Sequence, residues 1–514
     1  MTQSIIVTAQ QMRDIESQIF ANGMPVPALM EKVALLITAK IHHILSSLFP
    51  PNFPLKIGVL VGPGHNGGDA LVIARELFLK GYKIFLYHPF SKCKDLTSFH
   101  LQFAQSLSIP VSDQVSDLQD CDLLIDGLFG FGLEKPLTDH LISAINQINL
   151  LQKPIISIDI PSGIHTDTGE VLGNAIKAHY TLCLGLWKLA FFQDSALPYI
   201  GQAQLIDFNI TSTQINTVLG HLPQIQLMTK ETAIALFPLP RFPLTHKYKQ
   251  GHLLLICGSK RYAGAAILAA LGARASGVGM LSIAVPESLK SLLLHHVPEA
   301  LIIGFPETDS GAIARLTDIN LSNYDAIACG CGLTKDAENV VKNVLESPLP
   351  LILDADGLNI LAHLQQNLII SPDKIRPYPT IFTPHIGEFK RLFPQEKDLT
   401  KYRISAIIAA AKESQGIVLL KGAKTAIASP SGKVWIIGES TPALARGGSG
   451  DVLTGIMGGL LAQRNPITPI ENIVAIAAWW HSQAGILAAK ERSELGVDPV
   501  ILTEYLTKVI GDFY

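Results

Sequence analysis

The sequence lacks a surplus of charge of either sign. Lys and Arg number 40 against 43 Asp and Glu, a formal net charge of −3, and charged residues are only 16% of the chain. No segment carries a basic stripe, so nucleic acid is not an expected partner, because binding a phosphate backbone needs clustered Lys and Arg. Cysteine is sparse. Cys93, Cys121, Cys183, Cys257, Cys329 and Cys331 are scattered through apolar segments, a pattern expected of reduced, buried thiols in a cytoplasmic protein. Cys329 and Cys331 are the nearest pair, and no further Cys or His cluster completes a metal site around them. Residues 1–16 have no basic segment leading into an apolar one, so no secretory signal is expected. A long, largely apolar uncharged run, near 473–489, is interrupted by His481, Ser482 and Gln483. It reads as a buried helix, not a membrane span.

Apolar material is plentiful. Hydrophobic residues are 48% of the 514-residue chain, enough for large cores in two to four domains. Residues 8–48 read as two helices, the first capped by Thr8 and the second covering 28–48. An apolar strand over 55–61 runs into Gly62-Pro63-Gly64-His65-Asn66-Gly67-Gly68-Asp69, then a helix over 70–80 and a strand over 82–87. This is a βαβ unit with a glycine-rich turn. It is neither a Walker A loop, since no Gly-Lys-Ser/Thr follows, nor a dinucleotide fingerprint, since the glycine spacing differs.

Further strands over 123–126, 154–159 and 180–186 end in comparable loops, Gly127 to Gly132 and Ile160-Pro161-Ser162-Gly163 among them. Ligands of open parallel sheets bind outside the carboxyl ends of strands. Asn66, Asp126, Asp159, Ser162 and Lys188 all fall at such ends, whereas a single Asp there is more often a turn former. Asn66, Asp126 and Ser162 supply oxygen donors suited to a hard cation. Asp159 and Lys188 remain for proton chemistry.

The character changes over 211–249, where a proline-rich stretch (Phe237-Pro238-Leu239-Pro240) leads into a second domain. The boundary is placed near residue 220. Strands are expected over 252–256, 280–285, 325–328, 349–353, 380–382 and 417–420, with a small-residue helix over 264–276 and a hairpin over 425–437. The pattern is again alternating α/β with buried parallel strands. Polar groups gather at strand ends once more, in Asp354 to Asn359, Thr383 to Glu388 and Lys421-Gly422-Ala423-Lys424-Thr425. Each alone is equally compatible with a structural role. Together with Arg446-Gly447-Gly448-Ser449-Gly450-Asp451 they argue for a nucleotide site. Three glycines in four positions let the backbone approach a ligand closely, and the following helix start aims free N–H groups at an anion. Asp451 there is either an N-cap or a base acting on a hydroxyl beside a phosphoryl group. Capping alone does not account for the glycines.

The first half resembles the YjeF N-terminal domain, the NAD(P)H-hydrate epimerase. The resemblance rests on His65 to Asp69, Asp126 to Gly132, Asp159-Ile160-Pro161-Ser162-Gly163 and Lys188. The second half resembles the ribokinase-like NAD(P)H-hydrate dehydratase through Tyr262-Ala263-Gly264-Ala265-Ala266 and the three strand-end motifs and glycine turn just named. The implied fold is α/β in two domains, a Rossmann-like parallel sheet over 1–220 and a ribokinase-like unit over 221–514. The implied activity is repair of hydrated nicotinamide cofactors: the first domain interconverts the C6 epimers of NADHX and NADPHX, and the second dehydrates the S epimer with ADP. By the same resemblance Asn66, Asp126 and Ser162 hold K+. Asn66, Gly67, Gly68 and Asp69 with Gly130, Phe131, Gly132 and Asp159 contact the hydrate in the first domain. Ala265, Gly332, His385 and Asp451 line the hydrate pocket in the second. Lys421, Gly422, Ala423, Lys424 and Thr425 with Gly447, Gly448, Ser449 and Gly450 hold ADP, and Asp451 is the base. Mg2+ accompanies the nucleotide, with Asp354 or Glu388 as outer ligands. A cytoplasmic homo-oligomer without membrane or nucleic-acid partners is expected.

His65, Ala70 and the turn Cys329-Gly330-Cys331-Gly332-Leu333 depart from the family pattern; His65 reads as a tolerated loop variant and Cys331 as a small packing residue. The rival reading is a ribokinase-like small-molecule kinase fused to a non-catalytic binding domain.

Overall fold

The computed structural model describes residues 4–50, 53–222, 224–367, 376–396, 398–465 and 467–511. The chain divides into two compact units, Met1–Ile225 and Gln226–Tyr514. Among the described residues, no helix is long and apolar enough to cross a membrane.

The first unit is built on a seven-stranded, wholly parallel sheet. In spatial order its strands are Val111–Ser112, Lys83–Tyr87, Lys56–Val61, Leu123–Gly127, Ile155–Ile158, Tyr180–Leu184 and Gln202–Ile206. The central strands are apolar on both faces (Ile57, Val59, Leu123, Ile125 and Ile156 are all buried), as a sheet covered on both sides requires. Helices Ala9–Ala21 and Val26–Leu48 precede the sheet. Thr8 caps the first in a reciprocal capping box with Gln11. The second begins two residues before its expected start, because Pro27 is at home in a first helical turn. The expected strand over 180–186 stops at Leu184. Trp187–Lys188 instead forms a separate parallel pair with Ile6–Val7. Helix His65–Leu79 starts five residues earlier than expected, so the motif from His65 to Asp69 is a first helical turn and not a loop.

The second unit carries a ten-stranded sheet. Its order is Ile225–Leu227, Val434–Ile436, Ala426–Ala428, Ile417–Leu420, Thr380–Phe382, Leu351–Leu353, Ala326–Cys329, His252–Ile256, Met280–Pro286 and Leu301–Phe305. The seven strands from Ile417–Leu420 to Leu301–Phe305 are parallel, and the hairpin strands add to them antiparallel. The expected buried helix near 473–489 is Ile470–Arg492, with Trp479, Trp480 and His481 buried. All six thiols are free; five are buried, but Cys93 is only half-buried, against expectation, because it lies in the connection between strand Lys83–Tyr87 and helix Asp95–Ser106.

Candidate active sites

In the first sheet the chain builds outward on one side of Lys56–Val61, then crosses to the other side at Leu123–Gly127. Such a reversal opens a crevice at the strands' carboxyl ends. A cavity of about 620 Å³ lies there, lined by Glu16, Asn66, Asp69, Phe131, Asp159 and Lys188 among others. Asp126 ends one strand and is fully buried. Its carboxylate accepts from Ser157 Oγ (2.8 Å), Ser162 N (2.9 Å), Ser162 Oγ (2.6 Å) and Leu128 N (3.3 Å), which ties the ends of two neighbouring strands together. Burial still raises its pKa, against these hydrogen bonds.

Asp159 follows strand Ile155–Ile158 with φ +68°, a left-handed conformation that Asp tolerates better than most residues. That turn aims its carboxylate at three donors: Lys188 Nζ at 2.6 Å, Phe131 N at 2.8 Å and, more weakly, Leu184 N at 3.5 Å. Lys188 has no solvent exposure, also donates to Leu184 O at 2.5 Å, and lies 5.5 Å from the Phe131 ring centroid. Burial disfavours its ammonium form, but the Asp159 carboxylate more than offsets this, and Lys188 stays above the usual lysine range. The pair is therefore a salt bridge with one carboxylate edge directed at the Phe131 loop. Gly130 lies against it: a Cβ there would be 3.0 Å from Asp159 Oδ2 and 3.2 Å from Asn66 Oδ1. Gly67 and Gly68 are buried in the helix turn that contains Asn66, whereas Gly132 lines the cavity with open space where a Cβ would stand.

Two carboxyls are more perturbed. Asp69 is raised well above its ordinary value by burial and then by the Asp159 and Glu16 charges. Glu16 is raised to about 7 by burial, against the pull of Lys188. Sequence reasoning does not find Glu16, which reads as an ordinary polar position on an amphipathic helix.

Asn66, Asp126 and Ser162 present only oxygen and amide groups at adjoining strand ends. The Asn66 Nδ2 is buried without a hydrogen-bond partner; as a donor it does not bind a cation, so any ligand from this residue is its Oδ1. This donor set suits a hard monovalent cation better than a soft metal.

The second sheet reverses between His252–Ile256 and Ala326–Cys329. Gly258 N after the first strand donates to Cys331 O after the second at 2.8 Å. Gly332 has φ +67°, and a Cβ there would fall 2.8 Å from Ala265 Cβ, so those two predicted pocket residues are in contact. Helix Ser449–Ala462 points its N-terminus at this crevice. Gly448 caps it at φ +95°, which a side chain would resist. The helix runs close against Ala263–Ala275, since a Cβ on Gly455 would lie 2.0 Å from Ala269 O.

Asp451, in the first turn, accepts a hydrogen bond from the Cys331 thiol; burial and the nearby Asp354 charge nevertheless raise it to about 6. Cys331 is packed in the hydrophobic core, as expected of a small packing residue, with its thiol beside Asp451. Asp354 is buried and receives Lys421 Nζ at 2.7 Å and Thr454 Oγ1 at 2.7 Å. Although burial opposes it, the Lys421 charge holds its carboxyl below the ordinary range. A Cβ on Gly450 would lie 3.6 Å from Lys421 Nζ, so the helix start and the lysine share one space. Lys421 N donates to Pro384 O at 2.9 Å, which brings the His385 loop alongside. His385 Nδ1 accepts from Gly387 N at 2.9 Å, and Glu388 Oε2 accepts from His385 N at 2.9 Å, so both cap their own helix, Ile386–Leu392. Burial raises Glu388. A further residue escaped sequence reasoning: buried His481, whose Nε2 is 2.9 Å from Ser449 O, is depressed to about 4 by burial and stays neutral.

The remaining predicted phosphate residues are more open. Gly422, Ala423 and Gly447 are exposed. Thr425 Oγ1 donates to Gly422 O at 3.3 Å, and Lys424 Nζ donates to Gly438 O. Lys424 also borders a second cleft of about 630 Å³ with Glu439, Thr441, Pro442 and Lys490. Asp451 does not line that cleft.

A family described as NAD(P)H-hydrate dehydratase matches residues 253–508, and one described as YjeF-related protein N-terminus matches 26–190. A protein of Synechocystis sp. named bifunctional NAD(P)H-hydrate repair enzyme Nnr is 52% identical over 502 residues, 98% of this chain and 94% of that protein. One of the same name from Thermosynechococcus vestitus is 51% identical, covering 98% and 96%. A solved structure described as ADP/ATP-dependent NAD(P)H-hydrate dehydratase from Bacillus subtilis, co-crystallized with ATP/Mg2+, is 33% identical over 56% of this chain and 98% of its own, with TM-score 0.48. With near-complete coverage at this identity, the chain belongs to the family of bifunctional NAD(P)H-hydrate repair enzymes.

Proposed function

We propose that residues 1–220 interconvert the R and S hydrates of NADH and NADPH, and that residues 221–514 dehydrate the S epimer with ADP, yielding AMP and phosphate. The observation that carries the reading is Asp451: a carboxylate with a pKa near 6 at a helix N-terminus, next to the Lys421–Asp354 pair. Near neutral pH it is ionised yet basic enough to accept the C6 hydroxyl proton. The hydroxyl oxygen then attacks the terminal phosphorus of ADP and AMP departs. The helix amides from Gly448 to Gly450 and the Lys421 ammonium stabilise the charge on the transferring group. Phosphate is a better leaving group than hydroxide, so the C6–O bond of the ester breaks with its electrons on the departing phosphate, which can accept the C5 proton, and the C5–H electrons form the ring double bond. Neutral His481, donating to Ser449 O, fixes the turn without adding charge. Ala265, Gly332 and His385 border the hydrate; Gly422 to Thr425 and Gly447 border the nucleotide.

In the first unit the hydrate occupies the cavity against Gly130, Phe131, Gly132 and Asp159, with the turn from Asn66 to Asp69 opposite. Asn66, Asp126 and Ser162 hold a potassium ion, whose charge orders these loop ends. Magnesium fits less well as a protein-bound ion. Asp354 is engaged by Lys421 and Thr454 and Glu388 caps its helix, and no group of three His, Cys, Asp or Glu lies together among the described residues, so the nucleotide phosphates would be the main ligands of magnesium. The kinase alternative is not favoured, since near-full-length relatives share both halves. A cytoplasmic homo-oligomer completes the proposal; light scattering tests the assembly. The test of function supplies both epimers with ADP and follows the absorbance of reduced nicotinamide. Full recovery supports the reading. Accumulation of a stable phosphorylated product without recovery refutes it.

A further inference from the structure

Inverting C6 of the hydrate requires more than one proton carrier. C6 bears a hydroxyl and is bonded to the ring nitrogen. The ring-nitrogen lone pair can expel that oxygen, and return of water to the opposite face then inverts C6, a route that uptake of oxygen from water distinguishes from opening and reclosure of the ring. An acid must protonate the departing oxygen on one side, and a base must take a proton from the incoming water on the other. Asp159, held by Lys188 and Phe131 N, supplies one group.

We propose that Glu16 is the second proton carrier of the epimerisation, working with the Asp159–Lys188 pair in the same cavity; this rests on the epimerase reading of the first unit. Glu16 lines the cavity together with both members of the pair. It lies outside the part of the chain that the family match covers, residues 26–190. Its helix, Ala9–Ala21, is nevertheless tied to the site at three places. Ile6–Val7 pairs with Trp187–Lys188, Ala9 N donates to Asp167 Oδ1 at 2.7 Å, and Arg13 bridges Glu134 at 2.8 Å. A helix so anchored presents Glu16 at a fixed position relative to Lys188. The charged and titratable groups around the cavity are Arg13, His65, Asp69, Lys94, Asp159 and Lys188. Burial outweighs the attraction of Lys188 and lifts Glu16 to about 7, so it exchanges a proton readily near neutrality.

The step balances without a co-reactant. The C6–O bond breaks with its electrons on oxygen, which takes the proton of one carboxyl and leaves as water. The ring-nitrogen lone pair forms the C6=N1 bond. Water adds to the other face, and its proton passes to the second carboxylate. In the reverse direction the roles exchange.

The test uses the full chain without ADP and follows exchange between purified R and S hydrates by chromatography, in water labelled with heavy oxygen. Glu16→Gln is expected to slow exchange and label uptake about 100-fold or more and to abolish the pH dependence centred near 7, with Glu16→Asp partly restoring both. Dehydration of the S epimer with ADP is expected to be unchanged, and thermal stability is expected not to fall, since removing a buried carboxyl of raised pKa costs the native state nothing above its titration window. Wild-type exchange with a Glu16→Gln variant equally fast, or slowed with an unaltered pH profile, overturns the role of Glu16 and leaves the epimerase reading intact. No acceleration by the wild type overturns both.

Discussion

The Asp451→Asn substitution should make the protein more stable while destroying dehydration. Asp451 is raised from 3.8 to about 6 on folding, by burial and by Asp354. An acid whose folded pKa is raised is ionised at a cost in the native state. Stability is therefore fullest below the unfolded pKa and is lost as pH rises through the folded one, here between 3.8 and about 6. At about 1.4 kcal/mol per pKa unit, the shift is worth on the order of 3 kcal/mol above that window. Asparagine removes the charge but weakens the bond from Cys331, returning about 1 kcal/mol. The net gain is about 2 kcal/mol, or about 4–8 °C in the midpoint of the second unit. Calorimetry of the full chain well above and well below pH 6 measures it. The gain should be present above, vanish below, and coincide with loss of hydrate-dependent AMP release. A variant no more stable than wild type above the window, or a gain that persists below it, would refute the burial argument.

Other consequences follow from the same geometry. Dehydratase kcat/KM should rise with pH through about 6 as Asp451 ionises, and flatten above; a flat acid limb would remove Asp451 as the base. Lys188→Met should abolish epimer exchange and lower stability by about 3–5 kcal/mol, because it strands the buried Asp159 charge. Denaturant titration should show much of that loss restored in the Lys188→Met/Asp159→Asn double variant. Gly332→Ala should cost about 1–2 kcal/mol for its left-handed backbone and raise KM for the hydrate, since the new Cβ presses on Ala265; unchanged KM would place the hydrate elsewhere.

The strand ends were the legible part of both sites. An apolar run stopping at Asp126 or Asp159 carries its own signal, because buried parallel strands are continuous in sequence and their polar termini stand out. The glycine turn before Asp451 is legible for the same local reason. What joins the chain at a distance is not. Asp14 and Glu16 are both acidic positions on one short helix, and which one enters the cavity depends on Ile6–Val7 pairing with Trp187–Lys188, far along the chain. His481 lies in an apolar helix whose sequence does not reveal that Ser449 is its partner. The edge strand Gln202–Ile206 lacks the unbroken apolar run of central strands and goes unsignalled, whereas Leu301–Phe305 is apolar throughout and is missed despite that signal. The start of helix His65–Leu79 was misplaced because glycines read as a turn when tertiary packing holds them helical.

The central claim is that one chain holds two sites, each responsible for one step. It is tested most directly by supplying mixed epimers with ADP to Asp159→Asn, to Asp451→Asn, and to the two variants combined. Asp159→Asn should recover reduced nicotinamide rapidly from the S share alone. Asp451→Asn should recover none yet still interconvert the epimers, and the mixture should restore complete recovery. Full rapid recovery by Asp159→Asn, or loss of epimer exchange in Asp451→Asn, would contradict the division of labour.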